Sequence, residues 1–315
     1  MNPLISIIIP NYNHALFLEK RLESVYNQTY LHFEVILLDD ASTDNSIEIL
    51  TAYKNHPKTA HLLVNTQNSG SPFKQWQKGV ELAKGELIWI AESDDYAAPN
   101  FLEQVAQPLL TNKEIGLAYC QSVVVDENSQ ELYINTQWTD DLDKNRWLTN
   151  YTNNGLHECK NYLFYKCTIP NASAVVFRKN LATAFPITFK MAGDWWFWMN
   201  LLPNTNITYI KDSLNYFRAH ANTTRMSGGL TKKKLRLIEE VKVASLIKNQ
   251  VDSPVYLKKM EKVYTNYLRI LPLKMLLFNS IKPYQFTDNS LNYSKIVLLF
   301  IKELCYRFNR KINNV

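Results

Sequence analysis

The chain has 315 residues, 46% of them hydrophobic, and a formal net charge of +6. This is an ordinary globular composition, long enough for one large domain or for a domain with an appendage. Four cysteines (Cys120, Cys159, Cys167, Cys305) lie without CxxC or Cys/His ligand spacing, which argues against a structural zinc site or a disulfide framework.

Strand-like and helical segments alternate from the start. Residues 5–9 read as a strand, 16–28 as a helix and 33–38 as a second strand. Ser42-Thr43-Asp44 offers N-cap chemistry for a helix through Ile47, Leu50 and Tyr53, and residues 62–64 read as a third strand. Ser71-Pro72 starts a helix that Gly85 ends, and the apolar run 87–91 is a fourth strand. Pro99 starts another helix, residues 116–125 read as a strand, and residues 126–151 as a surface excursion. Strands separated by crossovers predict an α/β fold with a mainly parallel, twisted sheet flanked by helices.

After Met226-Ser227-Gly228-Gly229 the texture changes to lysine-rich helical periodicity. The expected division is a domain over residues 1–228 and a helical appendage over 229–315, whose first helix begins near Thr231. Its last segment places Val297, Phe300, Ile301, Leu304, Cys305 and Phe308 on one stripe, with Lys302, Arg307 and Arg310 elsewhere. Such a helix suits an anionic membrane surface, or equally packs on the appendage itself. The first ten residues carry no basic lead-in to an apolar signal segment, and no apolar run approaches membrane-spanning length. A cytoplasmic protein is expected, soluble or peripheral at the inner face of the membrane. Lysines without a recognition module predict no nucleic-acid partner.

The candidate chemistry sits at strand ends. Glu92-Ser93-Asp94-Asp95 directly follows the fourth strand, where open α/β sheets place ligands. Crowded carboxylates raise each other's pKa, and Mg²⁺ or Mn²⁺ shared with substrate phosphates relieves the repulsion. A solvated acidic loop would look the same in sequence. The first strand ends in Pro10-Asn11-Tyr12-Asn13, which leaves Tyr12 able to stack on a flat ligand, and the second runs into Asp39-Asp40. Taken singly, Tyr12 also reads as a loop aromatic and Asp44 as a helix cap.

In this order the residues resemble the family 2 glycosyltransferases, an inverting group with the GT-A (Rossmann-like) fold. The resemblance rests on Ile7-Ile8-Ile9-Pro10-Asn11-Tyr12-Asn13, Leu22-Glu23-Ser24-Val25 with Asn27-Gln28-Thr29-Tyr30, Asp39 to Asp44, Ala83-Lys84-Gly85-Glu86 and the tetrad, which span the N-terminal half. It implies transfer of a sugar from a nucleoside-diphosphate donor, UDP by the family's habit, to a hydroxyl of a glycan or lipid-linked acceptor in cell-surface polysaccharide biosynthesis. It further implies Pro10, Tyr12 and Asp40 at the nucleobase, Asp94 and Asp95 at the ribose and the diphosphate-bound Mn²⁺ or Mg²⁺, and Asp194 as catalytic base. In Tyr216-Phe217-Arg218-Ala219-His220, Arg218 would neutralise the leaving group and His220 would approach the metal.

Three positions depart from the family pattern. Glu92 stands where an Asp is common, Trp76-Gln77 where an Arg-Asn pair is common, and Gly193 where a first acid precedes Asp194. Lys74 or Lys78 would replace the missing arginine with a less directional ammonium. A sugar nucleotidyltransferase would carry an early glycine-rich loop, and residues 1–43 contain no glycine. A catalytically silent sugar-binding scaffold stays open on the three departures.

Overall fold

In the computed structural model, residues 3–220, 229–278, 286 and 288–312 are described. The segment 226–228 singled out in the sequence lies outside them, as does the expected boundary after residue 228. The chain divides into two units, one of Met1–Thr188 with Phe197–Ala221, the other of Phe189–Trp196 with Asn222–Val315.

The first unit opens with β1 (Ile5–Asn11), α1 (Ala15–Tyr26), β2 (Phe33–Asp39), α2 (Ser46–Ala52), β3 (Thr59–Val64), α3 (Pro72–Leu82) and β4 (Leu87–Ile90). It continues through β5 (Tyr96–Ala97), α4 (Phe101–Thr111), β6 (Ile115–Val125), β7 (Glu131–Ile134), β8 (Tyr151–Asn154), α5 (Gly155–Glu158) and β9 (Val175–Arg178). After α6 (Gly193–Leu201) it closes with β10 (Asn206–Arg218). The sheet order is β3-β2-β1-β4-β9-β6-β10-β5, with β7 on β6 and β8 on β10.

The predicted α/β class holds, and the sheet is mixed. Strands β1 to β4 pair parallel, as do β6 and β10, whereas β9 runs antiparallel to both β4 and β6. Two antiparallel steps restore direction, so β1, β2, β4, β6 and β10 all end on one edge. The expected surface excursion contains β7, fully exposed and paired with β6. Strands β1 and β4 are buried throughout, the continuous apolar pattern of strands covered on both faces. Pro10 is tolerated in β1 because the pairing with β4 stops at Ile8, which leaves that stretch bonded on the β2 side alone. A Cβ on Gly79 would stand 2.4 Å from Ile8 Cγ2, so the glycine brings α3 hard against β1.

The second unit holds α7 (Leu230–Ser245), α8 (Ser253–Ile270), α9 (Leu273–Phe278) and α10 (Tyr293–Ile312). The buried side of α8 carries Tyr256, Met260, Val263, Tyr264, Tyr267 and Leu268. On α10 the predicted stripe splits: Val297, Phe300 and Leu304 are half-buried, whereas Ile301, Cys305 and Phe308 are exposed. Arg307, expected away from the packed side, instead donates to Glu303 and to the backbone oxygens of Leu268, Arg269 and Leu271. Its guanidinium ties α10 to the end of α8, where the last carbonyls lack the full set of intrahelical donors. Among the described residues, no helix is long and apolar enough to cross a membrane.

Candidate active site

The loops after β1 and β2 are sewn together. Asn11 Nδ2 donates to Asp39 Oδ2 at 2.8 Å, Asn13 N donates to Ser42 Oγ at 2.9 Å, and Thr43 N donates to Asn13 Oδ1 at 2.7 Å. Asn13 and Ala41 take positive φ (55° and 62°), the sharp reversals that turn each loop along the strand ends. Asp44 accepts from Ala15 N at 2.9 Å and Ser46 N at 3.0 Å, so one carboxylate serves the first turns of α1 and α2. Tyr12 stands 44% exposed at this edge, its ring available to a flat ligand.

Asp40 is almost fully buried. Its Oδ1 accepts from Asn65 Nδ2, Ser69 N and Gln75 Nε2 at 2.6 to 2.9 Å, and Oδ2 from Ser69 Oγ at 2.8 Å. It therefore shapes the 65–69 loop, and Oδ2 alone keeps acceptor capacity. Both lysines proposed to replace the arginine reach that same loop: Lys74 Nζ donates to Ser69 O at 3.0 Å and Lys78 Nζ to Asn65 Oδ1 at 2.7 Å.

The tetrad begins one residue past β4. Glu92 N donates to Ser173 Oγ at 3.1 Å, and the Glu92 carboxylate takes the Trp76 indole N–H at 2.8 Å. Desolvation, then the Asp94 charge, pushes the Glu92 carboxyl up to about 8. Asp95 is buried, with Oδ1 accepting from Arg218 N at 2.9 Å and Oδ2 from Asn171 Nδ2 at 2.8 Å. Desolvation and the neighbouring Asp94 raise its pKa. Asp94 goes the other way: desolvation raises it, but the hydrogen bond from His220 and the nearby His14 outweigh that and hold it low. His220 Nε2 stands 3.1 Å from Asp94 Oδ2. His14, Asp94 and His220 each offer a ligand atom within 4.8 Å of the others, a donor set that fits a divalent ion.

Two of the expected site residues are also engaged by the protein itself. Asp95, expected at the metal, lies outside this three-residue group with both oxygens engaged by the protein. Arg218, expected at the leaving group, turns inward: Nε donates to Asp94 O, Nη1 to Asp126 O and Glu127 O, and Nη2 to Ser129 Oγ. It is buried over the Phe17 ring, 4.6 Å from the centroid. Its work in this arrangement is to hold the 126–129 turn against the tetrad.

Two residues were not singled out from the sequence. His14 precedes α1, and its Nδ1 lies 2.8 Å from Ser93 Oγ. Arg21 is fully buried on α1, with Nε donating to Glu92 O at 2.8 Å and neither terminal nitrogen hydrogen-bonded among the described residues. Desolvation lowers its pKa to about 10 against the pull of Asp95, Asp94 and Glu92, so it stays cationic at neutral pH beneath the carboxylates. A signal was present: Arg21 interrupts the apolar stripe Phe17, Leu18, Leu22, Val25 of a helix whose other basic residue, Lys20, is exposed.

In the second unit, Asp194 lies in the first turn of α6 and its Oδ1 accepts from Trp195 N at 2.8 Å. The segment leading to it is gripped by buried Glu239 of α7, which accepts from Lys190 N, Met191 N and Ala192 N, each at 2.8 Å.

A family model described as "Glycosyl transferase family 2" matches residues 6–182, more than half of the chain. The chain belongs to glycosyl transferase family 2. Among curated relatives it is 38% identical over 107 residues to glycosyltransferase GlyG of Streptococcus pneumoniae, a stretch that covers 34% of this chain and 35% of that protein. The match thus spans about a third of that relative. Among solved structures it resembles S. aureus TarS 1-349 in complex with UDP-GlcNAc (17% identity, TM-score 0.61, covering 97% of this chain and 92% of that one). It also resembles the mannosyltransferase PcManGT from Pyrobaculum calidifontis in complex with GDP-Man and Mn²⁺ (17% identity, TM-score 0.58, covering 96% and 88%). At these identities the likeness establishes the GT-A fold of this family 2 chain.

Proposed function

We propose that this protein is an inverting glycosyltransferase that moves a sugar from a UDP-sugar to a hydroxyl of a glycan or lipid-linked acceptor in cell-surface polysaccharide biosynthesis. The observation that carries the reading is the Asp94–His220 pair at the edge where β4 and β10 end, the same edge that exposes Tyr12 beyond β1. Tyr12 stacks on the base, the free capacity of Asp40 Oδ2 and the loop beside Pro10 border it, and Lys74 or Lys78 contacts the diphosphate in place of the family arginine. Asp94 and His220 would hold Mn²⁺ or Mg²⁺, which would supply neutralisation of charge on the departing diphosphate. Asp194 accepts the proton of the acceptor hydroxyl, and the hydroxyl oxygen bonds the anomeric carbon as the bond to the diphosphate breaks, with inversion. The proposed catalytic domain is 1–228 and the appendage 229–315.

A cytoplasmic location with salt-sensitive attachment to the inner membrane face goes with this acceptor. Exposed Ile301, Cys305 and Phe308 beside Lys302 on α10 support it. Vesicles rich in anionic lipid should retain the full chain and lose a chain ending at residue 288; equal retention removes the membrane role.

The test of the function is nucleotide release from UDP-, GDP- and dTDP-sugars with Mn²⁺, Mg²⁺ or EDTA. Metal-dependent release from one donor, abolished in Asp94→Ala, is expected. No release and no metal-dependent thermal shift with any donor would leave a silent scaffold.

A further inference from the structure

His14 is a residue for which the nucleotide-sugar reading has no use, yet it stands in the only group of metal-ligating side chains found among the described residues. We propose that His14 is a third protein ligand of the divalent cation, and that the site therefore selects a transition ion of the Mn²⁺ or Co²⁺ kind over Mg²⁺. The inference deepens the proposed function, since it concerns the cation of that same site.

The three ligands come from three places in the chain: the residue before α1, the residues after β4 and the residues after β10. None of them is there by helical repeat. The main chain of His14 is fixed because its carbonyl accepts from Phe17 N at 2.9 Å and Leu18 N at 3.0 Å. Asn13 just before it takes the positive φ and bonds to Ser42 and Thr43, so the loop delivers the imidazole to a set position. Ligand atoms on bonds of about 2.1 Å stand roughly 3 to 4 Å apart around an ion. A set already within 4.8 Å closes by small side-chain rotations.

The surroundings of His14 are those of a ligand. Ser93 Oγ at 2.8 Å from Nδ1 fixes the ring and leaves Nε2 as the nitrogen not engaged by that bond. Such outer hydrogen bonds orient metal-bound imidazoles and set their tautomer. The ring meets His220 edge to face, with centroids 5.8 Å apart, and Phe17 packs 5.1 Å from His220 on the apolar side. Two imidazoles and one carboxylate form a mixed nitrogen and oxygen set. Mg²⁺ favours oxygen ligands and gives up water reluctantly, whereas imidazole suits the transition ions.

The test needs no donor sugar. The full chain is titrated with Mn²⁺ by the electron paramagnetic resonance signal of the free ion, and with Co²⁺ by its visible absorption. Mg²⁺ competition against bound Mn²⁺ gives the preference. Wild type, His14→Gln, His220→Gln and, as a control on an exposed histidine, His157→Gln are compared. The expected result is Mn²⁺ binding at least tenfold weaker in His14→Gln, a changed Co²⁺ spectrum, Mg²⁺ affinity within twofold of wild type and no effect of His157→Gln. The proposal is overturned by Mn²⁺ affinity and a Co²⁺ spectrum unchanged in His14→Gln while His220→Gln alters both. It is equally overturned if wild type binds neither ion, with or without UDP. Normal binding together with no donor cleavage would sink the transferase reading and leave this one standing.

Discussion

The indole nitrogen of Trp76 lies 2.8 Å from Oε1 of Glu92. Both residues depart from the family pattern, and the contact makes them one departure instead of two. A glutamate is long enough to meet an indole on α3, and the indole supplies a directional donor where arginine is common. Trp76 is also locked by edge-to-face packing with Phe73 and Phe197. Trp76→Phe keeps that packing and removes the donor, and should cost about 1–3 kcal/mol. Glu92→Gln retains an acceptor oxygen and should cost less than half as much. Urea unfolding followed by far-ultraviolet circular dichroism measures both; equal losses would mean that the hydrogen bond contributes nothing.

Asp94 and Asp95 should separate by phenotype. Asp94→Asn is expected to abolish metal-dependent nucleotide release while the melting temperature stays within a few degrees. Asp95→Ala orphans Arg218 N and Asn171 Nδ2, and should lower stability by about 1–3 kcal/mol. Thermal melts in EDTA, where metal cannot contribute, show the difference. A stable Asp95→Ala that loses only metal binding would return Asp95 to the metal.

Glu239 positions the segment before Asp194 without touching the reacting groups. Glu239→Ala removes the acceptor that three backbone N–H groups share and should cost about 2 kcal/mol or more. Glu239→Gln keeps one acceptor oxygen and should fall between it and wild type. Hydrogen exchange at residues 190–192 should accelerate in both. In transfer assays kcat should fall with donor KM unchanged; a raised donor KM at constant kcat would contradict the positioning role.

Asp44 gives a pH signature. Desolvation raises its pKa, but the hydrogen bonds from Ser46 and Ala15 overcome this and hold it below 3.8. A depressed folded-state pKa means stability that is present above 3.8 and lost as pH falls through the lower folded value. Asp44→Ala should therefore be about 1 kcal/mol less stable at neutral pH, with a gap to wild type that narrows only in that acidic window. A gap constant down to pH 2 would assign the effect to something other than the ionised carboxylate.

Much of the fold could be read from the chain because β1, β2 and β4 are central parallel strands, whose unbroken apolar runs differ from helical spacing. Strand β5, two residues long, exists through its partner in the sheet and leaves no such run. At the site, the ordered motifs point to Asp94 and His220, and the structure brings these two side chains together. Asp94 and Asp95 look alike in sequence, while the backbone turns one to His220 and the other to Asn171. His14 reaches the tetrad through a turn at Asn13, a contact 79 residues away that no local pattern encodes. On α10, the sequence places Arg307 off the apolar stripe and does not show that its guanidinium meets the carbonyls at the end of α8.

The stitching between the loops after β1 and β2 has a consequence for altering nucleotide preference. Asn11, Asn13 and Ala15 find their partners in Asp39, Ser42, Thr43 and Asp44, so neither loop has a conformation of its own. A graft from a relative that reads a different base would have to carry residues 11–15 and 39–46 together. Moved singly, either one would arrive with its polar groups addressed to a neighbour that is no longer there.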